Sequence, residues 1–142
     1  MQEKSILSIF IGLVGAAVTT FFGGWSAGMT TLIIFMAVDY ISGLLVAGVF
    51  KTSPKSNTGA LSSKVGYKGL CKKGMTLLIV LIAYRLDLLI GTNYIRDAVV
   101  IGFCVNELLS ITENVGLMGI PLPPILDRAI DILINREDKK NE

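Results

Sequence analysis

Apolar residues run in long blocks along this chain, and the charges sit between the blocks. No charged residue lies between Lys4 and Asp39, and none between Asp39 and Lys51. A membrane-spanning helix needs about 20 apolar residues, so 5–50 has room for two. Gly23-Gly24-Trp25-Ser26 breaks the block with flexible residues and one interfacial aromatic. The pattern predicts a first span over 5–22 and a second over 27–50. A third is predicted over 74–90, with Met75 to Ala83 as its apolar core and Arg85 and Asp87 near its far end. A fourth, over 98–112, is interrupted by Asn106 and Glu107. A charged side chain at a helix centre raises the insertion free energy by about 2.5–3.5 kcal/mol, so this segment needs neighbours that shield those groups. Three spans with a re-entrant segment are the alternative.

Beyond Gly116, Pro121, Pro123 and Pro124 end the fourth segment. Leu126, Ile130, Leu133 and Ile134 then recur at helical spacing, with Asp127, Arg128 and Asp131 between them. Pro124 suits a first helical turn. This predicts a short amphipathic helix that lies on the membrane or on a partner, followed by a charged tail. The expected fold class is an all-α integral membrane protein. It has a transmembrane helical domain over 1–116 and a C-terminal amphipathic helix with its tail over 117–142.

Composition agrees with that class. The 142 residues make about one domain; 52% are hydrophobic and 17% charged, where soluble domains have roughly a quarter charged. This excludes a disordered chain or a disulfide-rich scaffold and argues against an ordinary soluble enzyme. A net charge of +2 gives no reason to expect nucleic acid as a partner. There is no histidine, the usual general base near neutral pH and the commonest metal ligand. Cys71 and Cys104 form no CxxC unit and read as small buried or interfacial thiols. No cofactor, metal or catalytic constellation is expected.

Charge position predicts topology. The stretch from Lys51 to Lys73 holds Lys51, Lys55, Lys64, Lys68, Lys72 and Lys73 and no acid. By the positive-inside rule this basic loop is cytoplasmic. With four spans both termini join it there, and of the 13 basic residues all but Arg85 and Arg96 lie inside. The lysines serve as a topology signal or attract anionic headgroups. A cleaved N-terminal signal segment is disfavoured, because Glu3 and Lys4 leave its leading region without net charge.

Five ionisable residues fall within or beside the spans: Asp39, Arg85, Asp87, Glu107 and Glu113. On the fourth span, Gly102, Asn106, Ser110 and Glu113/Asn114 recur every three or four residues, so they share a face flanked by Glu107. On the second, Thr31, Phe35, Asp39 and Ser42 share a face. Such groups hold a bundle together internally, join copies of the chain, or line an aqueous path. All three readings stay open. Gly12, Ala16 and Thr20 on the first span, and Gly43 and Ala47 on the second, have the small-residue spacing that lets helices approach closely in lipid.

Several motifs then occur in order. Asp39 to Gly48 resembles the "D…G" end of the span before the basic loop in toxin-secretion/phage-lysis holins. Leu61 to Lys73 resembles that family's Ser-Ser…Gly…Gly-Leu…Lys-Lys stretch, and Asp87 matches in type and place. Asn106 to Asn114 is similar to its "NE..SI.EN" segment, and Gly119 to Pro123 to its "G.P.P" turn. Pro124 departs from the basic residue expected there. The resemblance implies a small phage-encoded protein of the bacterial cytoplasmic membrane. Such a protein accumulates, oligomerises with itself in the lipid bilayer, and permeabilises it at a set time. A muralytic endolysin, or in some members a large toxin, is then released. Such a protein, the resemblance implies, catalyses no reaction. An antiholin that regulates lysis, and a small four-span proton-coupled transporter, are the alternatives.

Overall fold

The computed structural model describes residues 2–138, and every regular element among them is helical. The elements are α1 (Gln2–Phe21), α2 (Ala27–Leu45) with a π-helical continuation (Val46–Phe50), α3 (Ser63–Ile90), α4 (Ile95–Leu117) and α5 (Pro124–Asp138). The rest of the charged tail, with Lys139 and Lys140, lies outside the described residues. The expected all-α architecture is present. Three helices are long and apolar enough to cross a membrane: α1, α2 with its continuation, and α4. α3 is longer, but its apolar half also carries Lys73, Arg85 and Asp87.

Local chemistry sets the helix ends. The Ser26 hydroxyl accepts a hydrogen bond from the Met29 amide at 3.2 Å and caps α2. Gly91 closes α3 in a left-handed conformation with its amide on the Asp87 carbonyl. Pro124 opens α5, where its missing N–H leaves no bond unmade. In α1 the hydroxyls of Ser8, Thr19 and Thr20 each donate to the carbonyl four residues back, so these polar groups need no outside partner.

One expectation is corrected. The sequence pattern assigns 63–73 to the basic cytoplasmic loop, with a span starting at 74. That segment is helical and continuous with the span. Pro54 is the last proline before it, and Val65, Gly69, Lys73, Leu77, Val80, Ala83 and Asp87 carry one inward-facing stripe through the whole helix. The true loop, 51–62, is short and ordered. The Ser53 amide donates to the Gly59 carbonyl at 3.0 Å, and the Ser56 hydroxyl to the Ala60 carbonyl at 2.8 Å. α4 likewise extends beyond 98–112 at both ends.

The core is a three-helix affair. Met29, Leu32 and Met36 of α2 meet Val80 of α3 and Val100 and Cys104 of α4, with Phe22, Phe35, Leu77 and Phe103 packed around them. α5 folds back on α4 and buries Ile130. α1 buries nothing, and Ile6, Phe10, Leu13 and Phe21 are all exposed.

The turn between α1 and α2 is nevertheless tightly held. Arg96 donates from Nη1 to the carbonyls of Phe22 at 2.8 Å and Gly23 at 2.9 Å. Gly23 sits at φ +76°, and a β-carbon there would lie 2.2 Å from the Tyr84 ring. Gly24 also has a positive φ but nothing within 4 Å. Both glycine-to-alanine changes incur backbone strain of about 1–3 kcal/mol, and only Gly23→Ala adds a clash. Gly23→Ala is therefore expected to lose clearly more stability than Gly24→Ala in denaturant titration of the detergent-solubilised chain. Equal losses would remove Tyr84 from the account.

Candidate functional site

The polar residues of the three packed helices converge at one level. Asp39 and Ser42 follow Leu32 and Met36 on the inward face of α2, one and two turns further on. Lys73 is on the inward stripe of α3. Glu107 and Asn114 are on the face of α4 that also carries Val100 and Cys104. By helical rise, Asp39, Lys73 and Glu107 lie about 17–21 Å along the bundle from the end that holds Arg96 and the Gly23 turn.

The Lys73 ammonium sits between two carboxylates. Its Nζ donates to Asp39 Oδ2 at 2.8 Å and to Glu107 Oε2. The Asn114 amide donates to the other Asp39 oxygen at 3.2 Å and to the Ser42 hydroxyl at 2.8 Å. Ser42 in turn donates to the Asp39 carbonyl at 3.0 Å. Asp39, Ser42, Glu107 and Asn114 are buried and Lys73 nearly so. Among the described residues no buried side-chain polar atom lacks a partner. An isolated charge in such surroundings would be strongly unfavourable. Here two acids and one base from three helices satisfy one another, so the cluster closes only when α2, α3 and α4 are together.

A second polar cluster holds the opposite end. Asp87 accepts from the Thr92 hydroxyl at 2.6 Å and from the amides of Ile95 and Arg96 at 3.0 and 2.9 Å. It thereby caps α4 from the end of α3. Arg96, fixed by those bonds, pairs with Asp97 at 2.9 Å and grips the α1–α2 turn. Its guanidinium is 6.0 Å from the Tyr84 ring centroid.

The residues expected from sequence as one polar stripe are thus divided. Asp39 and Glu107 meet, with half-buried Ser110 on the next turn of α4. Asp87 belongs to the far cluster. Arg85, Asn106 and Glu113 are exposed on the outside of the bundle. Lys73, expected as a topology signal with its neighbours, is the centre of the site, whereas Lys51, Lys55, Lys64, Lys68 and Lys72 are exposed. Lys73 had a readable signal: it falls on the three- and four-residue spacing of Val80, Ala83 and Asp87. Asn114 is buried where its neighbour Glu113 is not. Arg96 carried no sequence signal beyond its charge.

Of the small residues, Gly43 lies near the Asn114 amide and Ala47 is buried, while Gly12 has nothing within 4 Å and Ala16 and Thr20 are exposed. Tyr40 packs over Gly66 and Gly69 of α3. Between these helices and loop 51–62 is a cavity of about 90 Å³, largely apolar, that reaches Asp39, Lys73 and Asn114.

Comparison with known proteins gives consistent relatives. The model of the bacteriophage holin family matches residues 16–135. An uncharacterised protein of Listeria innocua is 40% identical over 138 residues, covering 96% of this chain and 93% of its own. An uncharacterised protein of Clostridium perfringens is 32% identical, covering 98% and 100%. A protein named "Probable holin" from Bacillus phage phi105 is 27% identical over 112 residues, covering 78% and 77%. No solved structure matches the chain.

Removing the Lys73 charge leaves two carboxylates facing each other in the bundle. Breaking one side of a buried ion pair costs about 3–5 kcal/mol. Lys73→Met is expected to destabilise the solubilised chain by that order, while Lys72→Met changes it by no more than about 0.5 kcal/mol. Adding Glu107→Gln to Lys73→Met should restore part of the loss. A double-mutant cycle by denaturant titration reads all three, and additive losses would show that Lys73 and Glu107 are not coupled.

Proposed function

The chain belongs to the bacteriophage holin family, and from that premise we propose that it is itself a holin, a protein that permeabilises the bacterial cytoplasmic membrane at a timed moment. The observation that carries this reading is the family match, which spans the whole three-helix bundle. The kinship with the probable holin of phage phi105 points the same way.

In this reading α1, α2, α3 and α4 all cross the membrane. Both termini and the basic stretch 51–73 face the cytoplasm, as the positive-inside rule expects. Single copies accumulate with the polar cluster closed. Each bundle then presents a mostly apolar exterior to lipid, with Arg85, Asn106 and Glu113 outward, and hides two acids, a lysine and an asparagine. Homo-oligomers form when copies meet through outward groups, and Asn106, exposed midway along α4, is one such group. Uncovered polar groups in lipid favour association with a partner that can bond them.

Opening follows from the same chemistry. If α2, α3 and α4 separate in a large assembly, Asp39, Lys73, Glu107 and Asn114 exchange one another for water and line an aqueous path. The cluster then sets the balance between the closed bundle and the open assembly. An endolysin, or a toxin without its own export signal, passes through. An antiholin partner would act by holding bundles closed. The chain's own chemistry in this process is hydrogen bonding and ion pairing, with no bond made or broken in a substrate.

Two outcomes test the proposal. Induced expression of the chain alone in bacteria should cause sudden depolarisation and leakage of a cytoplasmic reporter enzyme, with lysis when an endolysin is co-expressed. Depolarisation without enzyme leakage would indicate a small pore, and no depolarisation at good membrane expression would overturn the lytic role in favour of a regulator or transporter. Glu107→Gln weakens the hold of α4 on Lys73 and should shift lysis onset at matched expression. Unchanged timing would overturn the role given to the cluster.

A further inference from the structure

The outward face of α3 changes character along its length. Lys64, Lys68 and Lys72 recur every four residues on its first turns and are exposed. Continuing down the helix, Met75, Leu78, Ile82 and Leu86 take over the exposed surface. Lys51 and Lys55 are exposed at the same end of the bundle, at and beyond the close of the π-helical turn. None of these five lysines has an ion-pair partner among the described residues. The chain holds no Asp or Glu from Tyr40 to Leu86, and Asp39, which lines the same cavity as Lys55, is already bonded to Lys73. Beside the lysine row stand Tyr67, 70% exposed, and Leu70, 57% exposed.

We propose that the first three turns of α3, with Lys51 and Lys55, form a docking surface for the anionic headgroups of phospholipids. This rests on the membrane-spanning reading given above. Charge complementarity selects the occupant. Five ammonium groups outside any ion pair among the described residues call for phosphates, and the switch from lysine to apolar residues after Lys72 puts them at headgroup level. Exposed Tyr67 and Leu70 fit the boundary between headgroup and acyl chain, where amphipathic aromatics are favoured. Lys stems lie along apolar surface while their ammonium groups reach outward. Lys73, next in the same run, turns inward to Asp39 and Glu107, so the helix divides its lysines between lipid and bundle at one level.

The two thiols give a direct test. Cys71 is exposed within the lysine row and Cys104 is buried, so the folded full chain takes a fluorophore at Cys71. The labelled protein is reconstituted in phosphatidylcholine vesicles with a small fraction of brominated phosphatidylglycerol or brominated phosphatidylcholine, which quench on contact. Each lysine at the surface favours the anionic lipid by about fivefold. Quenching at Cys71 should therefore show at least about fivefold local enrichment of phosphatidylglycerol. The enrichment should collapse near 1 M salt, where the screening length is about 3 Å, and in K64Q/K68Q/K72Q.

The single tryptophan, Trp25, is at the other end of the bundle, and its quenching should show no such preference. Equal quenching by the two lipids at Cys71, or the same preference at Trp25, would overturn the proposal. Dye efflux from the same vesicles is read separately. Efflux without lipid preference overturns this inference alone, and preference without efflux supports it while counting against the pore.

Discussion

One ammonium group held between two carboxylates organises this bundle. Lys73 reaches from α3 to Asp39 on α2 and Glu107 on α4, and Asn114 bonds the other Asp39 oxygen and Ser42. Apolar packing at Met29, Leu32, Val80 and Val100 brings helices together without choosing among similar registers, since lipid tails are as apolar as leucine. The ionic cluster does choose. It is satisfied only at the register where three helices present their polar groups at one depth. The same property makes the bundle conditional, because any other environment that solvates all of these groups, such as water, competes with the closed form.

A second fixed point keeps the helices in line at the opposite end. Asp87 collects two backbone amides and a hydroxyl, and Arg96 collects the carbonyls of the first turn. These are bonds to backbone groups that helix ends leave unsatisfied. The far end is thus pinned by capping, and the near end by ion pairing. The two differ in chemistry: the far end ties side chains to backbone groups across the α3–α4 and α1–α2 turns, whereas the near end ties charged side chains of three helices to one another.

Much of this was legible in the sequence. The charge-free blocks gave the helices, and Gly23, Gly24, Pro121 and Pro123 marked two of the breaks. Asp39 and Glu107 stood out because acids are rare in such blocks. What could not be read was partnership. Lys73 sits in a run with Lys72, and the two differ only in which side of α3 they occupy. That side is fixed by the continuation of the helix through 63–73, a stretch whose glycines and lysines resemble a loop. Glu113 and Asn114 are likewise adjacent, and only packing against α2 decides that the amide turns inward and the acid outward. Arg85 and Asp87, two residues apart, part company for the same geometric reason.

α1 stands apart from all of this. It is tied to the bundle at its C-terminal end by Arg96 and meets the core at Phe22, while the hydroxyls of Ser8, Thr19 and Thr20 are bonded within the helix. The family match begins at residue 16, near the close of this helix. Its surroundings therefore impose a length and an oiliness, and no shape. A helix gripped at one end and apolar along its sides passes any load from its surroundings to the bundle at one place, the Arg96 contact. α1 is thus coupled to the rest of the molecule at a single glycine turn.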